Sequence, residues 1–294
     1  MDISFIALRL LNACIVGSTY GLVAMGLALI TSVMKMVNFA YGEMYMLGSF
    51  VYYFLLVSFG VHPILAIPCA MATLFAAGVL IQKYVFQFIF DEEIVHKSET
   101  SIIMGMGMAI LLQKTALIGF GYHYRSTPPI IQGSTAIYSL ILYNDRILAA
   151  IIALSMMFLT FLFLRKTRLG LALQATAMNR EAAKVIGIRV DRMNLVAMGL
   201  GAALAAAGGS ILSSTTWVYA ENGVTPLFTS FAVIVLGGLG SVFGAAVACF
   251  LFAIVETLGI VLIGPSYAPI YGYLILIFTL LVRPRGLFGE RPGR

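Results

Sequence analysis

The chain has 294 residues, of which 61% are hydrophobic and only 10% charged, with a mean hydropathy of +1.00. A soluble domain keeps about a quarter of its residues charged, so a water-soluble globule, a disordered chain and a secreted scaffold are excluded, and a polytopic membrane protein is implied. The formal net charge of +6 does not point to nucleic acid, because seven of the 18 Lys and Arg lie in 165–192, four lie in 283–294, and none lies in 193–282. Bases confined to short loops beside long apolar runs place the 165–192 loop and the tail on the cytoplasmic side. Cys14, Cys69 and Cys249 stand in apolar runs without paired spacing, so they read as small buried hydrophobes rather than a disulfide framework or a zinc site.

A crossing helix needs about 20 mostly apolar residues, and shorter or interrupted runs are allowed where protein buries the backbone. In chain order the candidates are 10–34, 43–59, 63–84, 101–119, 146–164, 193–212, 227–239, 241–263 and 268–282. They predict an all-α fold: a polytopic transmembrane helical bundle of eight to nine spans with discontinuous helices, forming one domain over 1–294. The 227–239 run is too short for an ordinary span; if it crosses, both basic segments fall on one side and the N-terminus lies outside. The first run reads as a retained span, since Asp2 precedes Arg9 and no A-x-A cleavage site follows. The proposed cytoplasmic loop at 83–97 carries Lys83 and Lys97 but also Asp91, Glu92 and Glu93, so it orients the front half only weakly. On the outer face, 120–145 holds Pro128, Pro129 and a short apolar hairpin, which either caps a pore or covers helix ends.

The informative places in such a chain are polar and helix-breaking residues at bilayer depth, whose backbone and side-chain groups need partners that lipid cannot supply. The first is KMVNFAYGEMYMLG (35–48), where Asn38, Tyr41, Gly42 and Glu43 interrupt an apolar run. It reads either as a discontinuous helix lining a path or as a tight turn with Glu43 near a helix N-terminus, where a carboxylate is favoured. The second is VLGGLGSVFG (235–244), in which Gly237, Gly238, Gly240 and Ser241 follow the short segment and Gly240 with Gly244 forms a small-xxx-small pair, as Gly17 with Gly21 does. One interrupted segment in each half is the pattern of transporters whose broken helices meet near the substrate path. Glu256 is a lone acid in an apolar run, Lys114 is close enough to a helix end to snorkel, and the three histidines fall at loop edges, which leaves a proton relay little support.

The cytoplasmic loop TRLGLALQATAMNREAAKVIGI (167–188) repeats Leu171, Ala175, Met178, Ala182 and Val185 on one helical face, with Gln174, Thr176, Asn179, Arg180, Glu181 and Lys184 opposite. Gly187 stands where that helix would stop. Small and flexible apolar residues suit a protein-docking element better than a lipid-inserted one, which is the alternative.

This loop resembles the cytoplasmic element of ATP-binding-cassette importer permeases. NFAYGEMYMLGS (38–49), FAVIVLGGLGSVFGA (231–245) and RPRGLFG (283–289) are similar to the branched-chain amino acid permease family, LivH-type, in its order and spacing over essentially the whole chain. The resemblance implies a multi-pass permease of the bacterial inner membrane that is not itself an enzyme. Its partners would be a second LivM-like permease subunit, two cytoplasmic ATP-binding subunits that hold ATP and magnesium, and a periplasmic solute-binding protein. This chain would bind no cofactor or metal, and it has no Gly-Lys dipeptide and hence no P-loop. Gly170, Ala175, Asn179, Arg180, Glu181, Ala182, Ala183 and Gly187 would couple to the ATPase, while Asn38, Tyr41, Glu43, Gly237, Gly238, Gly240 and Ser241 would line the substrate path. Tyr41 stands where many relatives have His, and Gln174 where many carry a base. The solutes implied are branched-chain or other hydrophobic amino acids, or, in the same architecture, urea, short amides or aromatic acids. An ion-coupled secondary transporter is the alternative of another class, and a channel is disfavoured by the lack of a filter motif.

Overall fold

The computed structural model describes residues 3–90, 96–131, 133–137 and 140–289. Asp2, the loop acids Asp91, Glu92 and Glu93, and the tail bases Arg291 and Arg294 lie outside the described residues. All nine apolar runs are helices: α1 (Ile3–Met34), α2 (Tyr41–Val57), α3 (Pro63–Tyr84), α4 (Lys97–Phe120), α5 (Asn144–Lys166), α8 (Val190–Leu212), α9 (Val224–Gly237), α10 (Val242–Leu262) and α11 (Ala268–Val282). Between α5 and α8 the loop folds as α6 (Arg168–Met178) and α7 (Arg180–Val185). The hairpin expected on the outer face is present as β1 (Ser134–Ile137) and β2 (Leu140–Tyr143), the only strands among the described residues.

Among the described residues, six helices are long and apolar enough to cross a membrane. At 1.5 Å per residue the 14-residue α9 is about 21 Å long, short of the roughly 30 Å hydrocarbon core. Such a helix is tolerated only where protein covers its ends. The surrounding bundle supplies that cover: α1 and α8 form the centre, and α8 packs against α1, α2 and α3. By contrast α4 is peripheral, with most of its surface open.

Small residues set these distances. The GLGAALAAAGGS stretch of α8 presents glycine and alanine toward three neighbours, so backbones approach where lipid offers no hydrophobic drive for helices to associate. A side chain on Gly48 of α2 would run into Ala206 of α8, and one on Gly209 of α8 into the Tyr45 carbonyl of α2. The Gly17 and Gly21 pair packs α1 against Phe250, Ala253 and Cys249 of α10. The Gly240 and Gly244 pair does not act as a unit: Gly244 brings α10 against Gly237 at the end of α9, whereas Gly240, at a positive φ, has only the Lys35 Nζ nearby. The cysteine reading also needs correction, because only Cys249 is buried while Cys14 and Cys69 are exposed on the bundle surface.

The bundle has two distinct ends. One gathers Lys35, Lys97, Arg180 and Lys184 around a single cleft, with Arg165 and the tail close by, and is called the basic end below. At the other end, Arg125 forms a two-way backbone bridge with Val218, lies over the rings of Phe50, Tyr53 and Phe54, and donates to the Phe120 carbonyl at 2.7 Å. The loop after α4 thereby covers the ends of α2, α4 and α8.

Gly48→Leu is expected to lower the melting temperature of the detergent-solubilised protein sharply, since overpacking costs about 1–3 kcal/mol even in cores that can adjust and the backbone of α8 cannot. Gly107→Leu on α4, where a side chain meets nothing within 4 Å, is expected to leave it unchanged. Fluorescence-detected size-exclusion melts of the two variants check both outcomes.

Candidate functional site

The break between α1 and α2 is built by three local devices. Lys35 takes a left-handed φ of 54°, the only non-glycine residue among those described to do so, and this stops α1. The Asn38 side chain then accepts from the Ala40 amide at 2.9 Å, an Asx turn that starts the next helix. Tyr41, fully buried, donates its hydroxyl to the Val23 carbonyl of α1 at 2.6 Å and ties the restarted helix back to the first. Gly42 lies backbone to backbone against Gly223, so the N-termini of α2 and α9 meet inside the bundle. Glu43, 6% exposed, sits in the first turn of α2 with one carboxylate oxygen lacking a hydrogen-bond partner among the described residues. The helix N-terminus favours a carboxylate there.

A cavity of about 540 Å³ opens at the end opposite the basic one. Its walls are the Asn12, Val16, Thr19, Tyr20 and Val23 face of α1 and the Thr225, Pro226, Thr229 and Ser230 face of α9, with Tyr45, Trp217 and Asn222 between them and Arg146 at the mouth. Hydroxyl and amide groups alternate with apolar surface, the mixture found in small-molecule sites. Asn222 donates to the Ser49 hydroxyl at 3.0 Å, which fixes the loop that leads into α9. Behind Tyr20, the Glu256 carboxyl of α10 lies beside the Tyr20 and Tyr273 hydroxyls.

None of the seven residues expected to line a path is among those lining this cavity. Asn38, Tyr41 and Glu43 form the α1–α2 break; Gly237, Gly238, Gly240 and Ser241 lie at the basic end, so the two groups do not share one chamber. There Gly238, at φ 107°, ends α9, and the Ser241 hydroxyl caps α10 by accepting from the Gly244 amide at 2.9 Å. The tail runs alongside: the Leu287 and Phe288 amides donate to the Leu236 and Gly237 carbonyls at 2.9 and 3.0 Å. Gly240 and Ser241 instead line a second cavity of about 320 Å³ with Ser32, Arg165 and Gln174. The sequence reading missed the cavity residues of α1 and α9. Their signal was polar residues at helical spacing within apolar runs, which length-based span counting passes over.

The 167–188 loop is not one continuous amphipathic helix. Asn179 breaks it, ending α6 and capping α7 through a side-chain oxygen that accepts from the Glu181 and Ala182 amides, both at 3.0 Å. Gly187 closes α7 at φ 87°, where a helix stop was expected. Leu171, Met178, Val185 and Ile186 are 52%, 76%, 86% and 72% exposed, so the apolar row faces outward. Ala175 is half-buried and Ala182 exposed on the same side. The inward side is Leu173, Thr176 and Ala183, together with Gly170, which lies directly on the α5 backbone at Phe163 and Leu164. Of the polar residues placed opposite that row, Thr176 and Arg180 turn inward, Thr176 buried and Arg180 reaching α1, while Gln174 stays exposed. Glu181 and Lys184 remain exposed and pair with each other at 3.4 Å.

These features define a multi-pass helical membrane permease, with a solute-sized cavity at one end and an exposed helical loop at the other. The chain belongs to the branched-chain amino acid transport system permease component family, whose model matches residues 9–283. It is 27% identical to the high-affinity branched-chain amino acid transport system permease protein BraD of Pseudomonas aeruginosa, over 96% of this chain and 95% of the relative. The corresponding protein LivH of Escherichia coli K12 is also 27% identical, over 96% and 95%. A probable LivH of Methanocaldococcus jannaschii is 27% identical over 95% and 91%. Among solved structures, PsaBC from Streptococcus pneumoniae in complex with Fab aligns at a TM-score of 0.48 and 15% identity, covering 94% of this chain and 92% of that one. The resemblance carried by 38–49, 231–245 and 283–289 is borne out at the level of the family.

Replacing the cap, Asn179→Ala, is expected to cost about 1 kcal/mol of local helix stability and to speed amide hydrogen exchange over 180–186 about fivefold. Asn179→Asp, which keeps the acceptor, is expected to exchange at the native rate.

Proposed function

We propose that the chain is the pore-forming permease subunit of an ATP-driven importer in a bacterial inner membrane, carrying branched-chain or other hydrophobic amino acids. It works beside a second, LivM-like permease subunit, two cytoplasmic ATP-binding subunits that hold ATP and magnesium, and a periplasmic solute-binding protein. The observation that carries this reading is the outward apolar row Leu171, Met178, Val185 and Ile186 on α6–α7. Such a row on a basic, cytoplasmic-type loop calls for a protein partner, and its small helix α7 with the exposed Glu181 and Lys184 suits insertion into a cleft. The basic end is then cytoplasmic, and the 540 Å³ cavity opens to the periplasm.

The cavity is assigned to the substrate. Its apolar stretches at Ile15, Val16, Val23 and Pro226 suit an aliphatic side chain, and Thr19, Asn222, Thr229 and Ser230 offer hydrogen bonds to a zwitterionic backbone. Arg146 at the mouth favours a carboxylate. Asn38, Tyr41 and Glu43 act one layer behind this wall, because Tyr41 fastens to Val23, a lining residue. Gly240 and Ser241 lie on the route out at the cytoplasmic end, and Gly237 with Gly238 lets the tail close over α9. Gly170 and Ala183 seat the docking segment on the bundle, while Ala175, Asn179, Glu181, Ala182 and Gly187 shape the part that meets the ATPase.

Met178→Glu combined with Val185→Glu is expected to abolish co-purification of a P-loop ATPase from native membranes while leaving permease insertion intact; retention of the ATPase by this variant would sink the docking assignment. Thr225→Trp, which fills the cavity from α9, is expected to cut radiolabelled leucine uptake at least tenfold with the ATPase still bound. Uptake at the native rate would move the path elsewhere.

A further inference from the structure

Arg180 belongs to the loop that the preceding section assigns to ATPase docking, yet its side chain leaves that surface. Its Nη1 donates to the carbonyl of Met34, the last residue of α1, at 3.1 Å, and its Nη2 reaches the Asn194 Oδ1 of α8 at 3.4 Å. The guanidinium lies over the Phe90 ring, 4.4 Å from its centroid, in the short turn that follows α3. One side chain thus touches the end of α1, the first turns of α8 and the short turn that follows α3. Burial pulls the Arg180 pKa below its ordinary value, an effect that Asp191 and then Glu181 oppose. Arginine remains charged throughout the accessible pH range.

The chemistry of each contact is specific. The last carbonyls of a helix have no partner within it and carry its partial negative charge, so a cation donating to Met34 O is both cap and counter-charge for α1. The next residue, Lys35, is the one held in the left-handed conformation. The helix that Arg180 caps runs unbroken to the cavity, where its Asn12, Thr19, Tyr20 and Val23 face forms a wall. Asn194, 1% exposed, lies in the second turn of α8, the other central helix. Lysine could satisfy one of these contacts; the planar fork of arginine satisfies both and stacks on Phe90 as well.

We infer that Arg180 is a positioning residue that carries movement of the α6–α7 segment into the α1–α2 break and along α1 to the cavity. It acts inside the permease rather than at the ATPase surface. The inference rests on the docking reading above, since α6–α7 must be moved by something for Arg180 to pass the movement on.

The test uses the assembled transporter isolated from native membranes and returned to liposomes, with Arg180→Gln and Arg180→Lys. For Arg180→Gln the ATPase should remain bound and hydrolyse ATP, while leucine moved per ATP falls at least tenfold. Amide exchange compared between nucleotide-free and vanadate-trapped states supplies a readout that a purely structural role would not move. In the unaltered transporter 180–186 and 35–41 should change together; in Arg180→Gln only 180–186 should change. Arg180→Lys should fall between the two. A native ratio of leucine to ATP in Arg180→Gln, or loss of the ATPase from an otherwise folded permease, overturns the inference, the latter by placing Arg180 at the interface. If Arg180→Gln fails to accumulate, Arg180→Lys decides, and a native ratio there overturns it. Failure of the docking reading is distinguishable, because then the unaltered chain itself would recover no ATPase.

Discussion

A helix that ends inside an apolar bundle leaves amide or carbonyl groups that lipid cannot satisfy, each costing several kcal/mol, and this chain ends helices there repeatedly. Its architecture follows from how those ends are met. At the α1–α2 break the Asn38 side chain supplies an acceptor for Ala40. At the end of α9 the tail supplies two amides for the Leu236 and Gly237 carbonyls. At the start of α10 the Ser241 hydroxyl accepts from Gly244, and the Asn179 side chain serves α7 in the same way. Each cap comes from a short polar side chain or from an irregular strand of backbone, so the few polar residues in a chain that is only 10% charged stand where helices stop.

The same constraint explains the small residues. A short helix such as α9 can be held at its depth only if its neighbours reach its backbone, and Gly223 against Gly42 makes that contact where α9 and α2 both begin. Once two N-termini meet, the space they leave toward the end opposite the basic one is bounded by the sides of α1 and α9, where Asn12, Thr19, Tyr20, Thr229 and Ser230 stand among Ile15, Val16 and Val23. The cavity therefore depends on the shortness of α9: a helix begun earlier would replace the irregular backbone at Trp217, Tyr219 and Asn222 that lines it.

Much of the fold was legible because membrane crossing imposes a length and an apolar composition that the sequence must display. The run at 63–84 matches α3 residue for residue, and 268–282 matches α11. The site was less legible. Glycines and polar residues in 35–48 and 235–244 marked the right discontinuities, but the bare sequence does not say which side of a discontinuity faces a cavity. Tyr41 points back to Val23 and becomes a strut, whereas Tyr45, one turn later, lines the cavity. In the cytoplasmic loop the 3.6-residue period was real across α6, yet Asn179 resets the phase by preferring a capping conformation to a helical one. Phase after such a reset cannot be read from spacing, and for that reason the turn of Arg180 toward α1 was not legible.

That resetting residue has a mechanical consequence. The first helix of the segment, α6, rests on the α5 backbone at Gly170 and packs Leu173 beside Leu29 and Val33 of α1. With the break at Asn179, α7 has its own orientation and its own attachment, through Arg180 to α1 and α8. The α6–α7 segment thus has two kinds of connection to α1, the apolar packing of Leu173 beside Leu29 and Val33 and the polar contact of Arg180 with the Met34 carbonyl, and the second lies next to the strained Lys35 where α1 ends. A left-handed lysine stores roughly 1–3 kcal/mol, which is comparable to the net contribution of a hydrogen bond to a charged group. Breaking or remaking the Arg180 contact is therefore large enough to decide whether α1 ends where it does, and so whether the wall of the cavity holds its place.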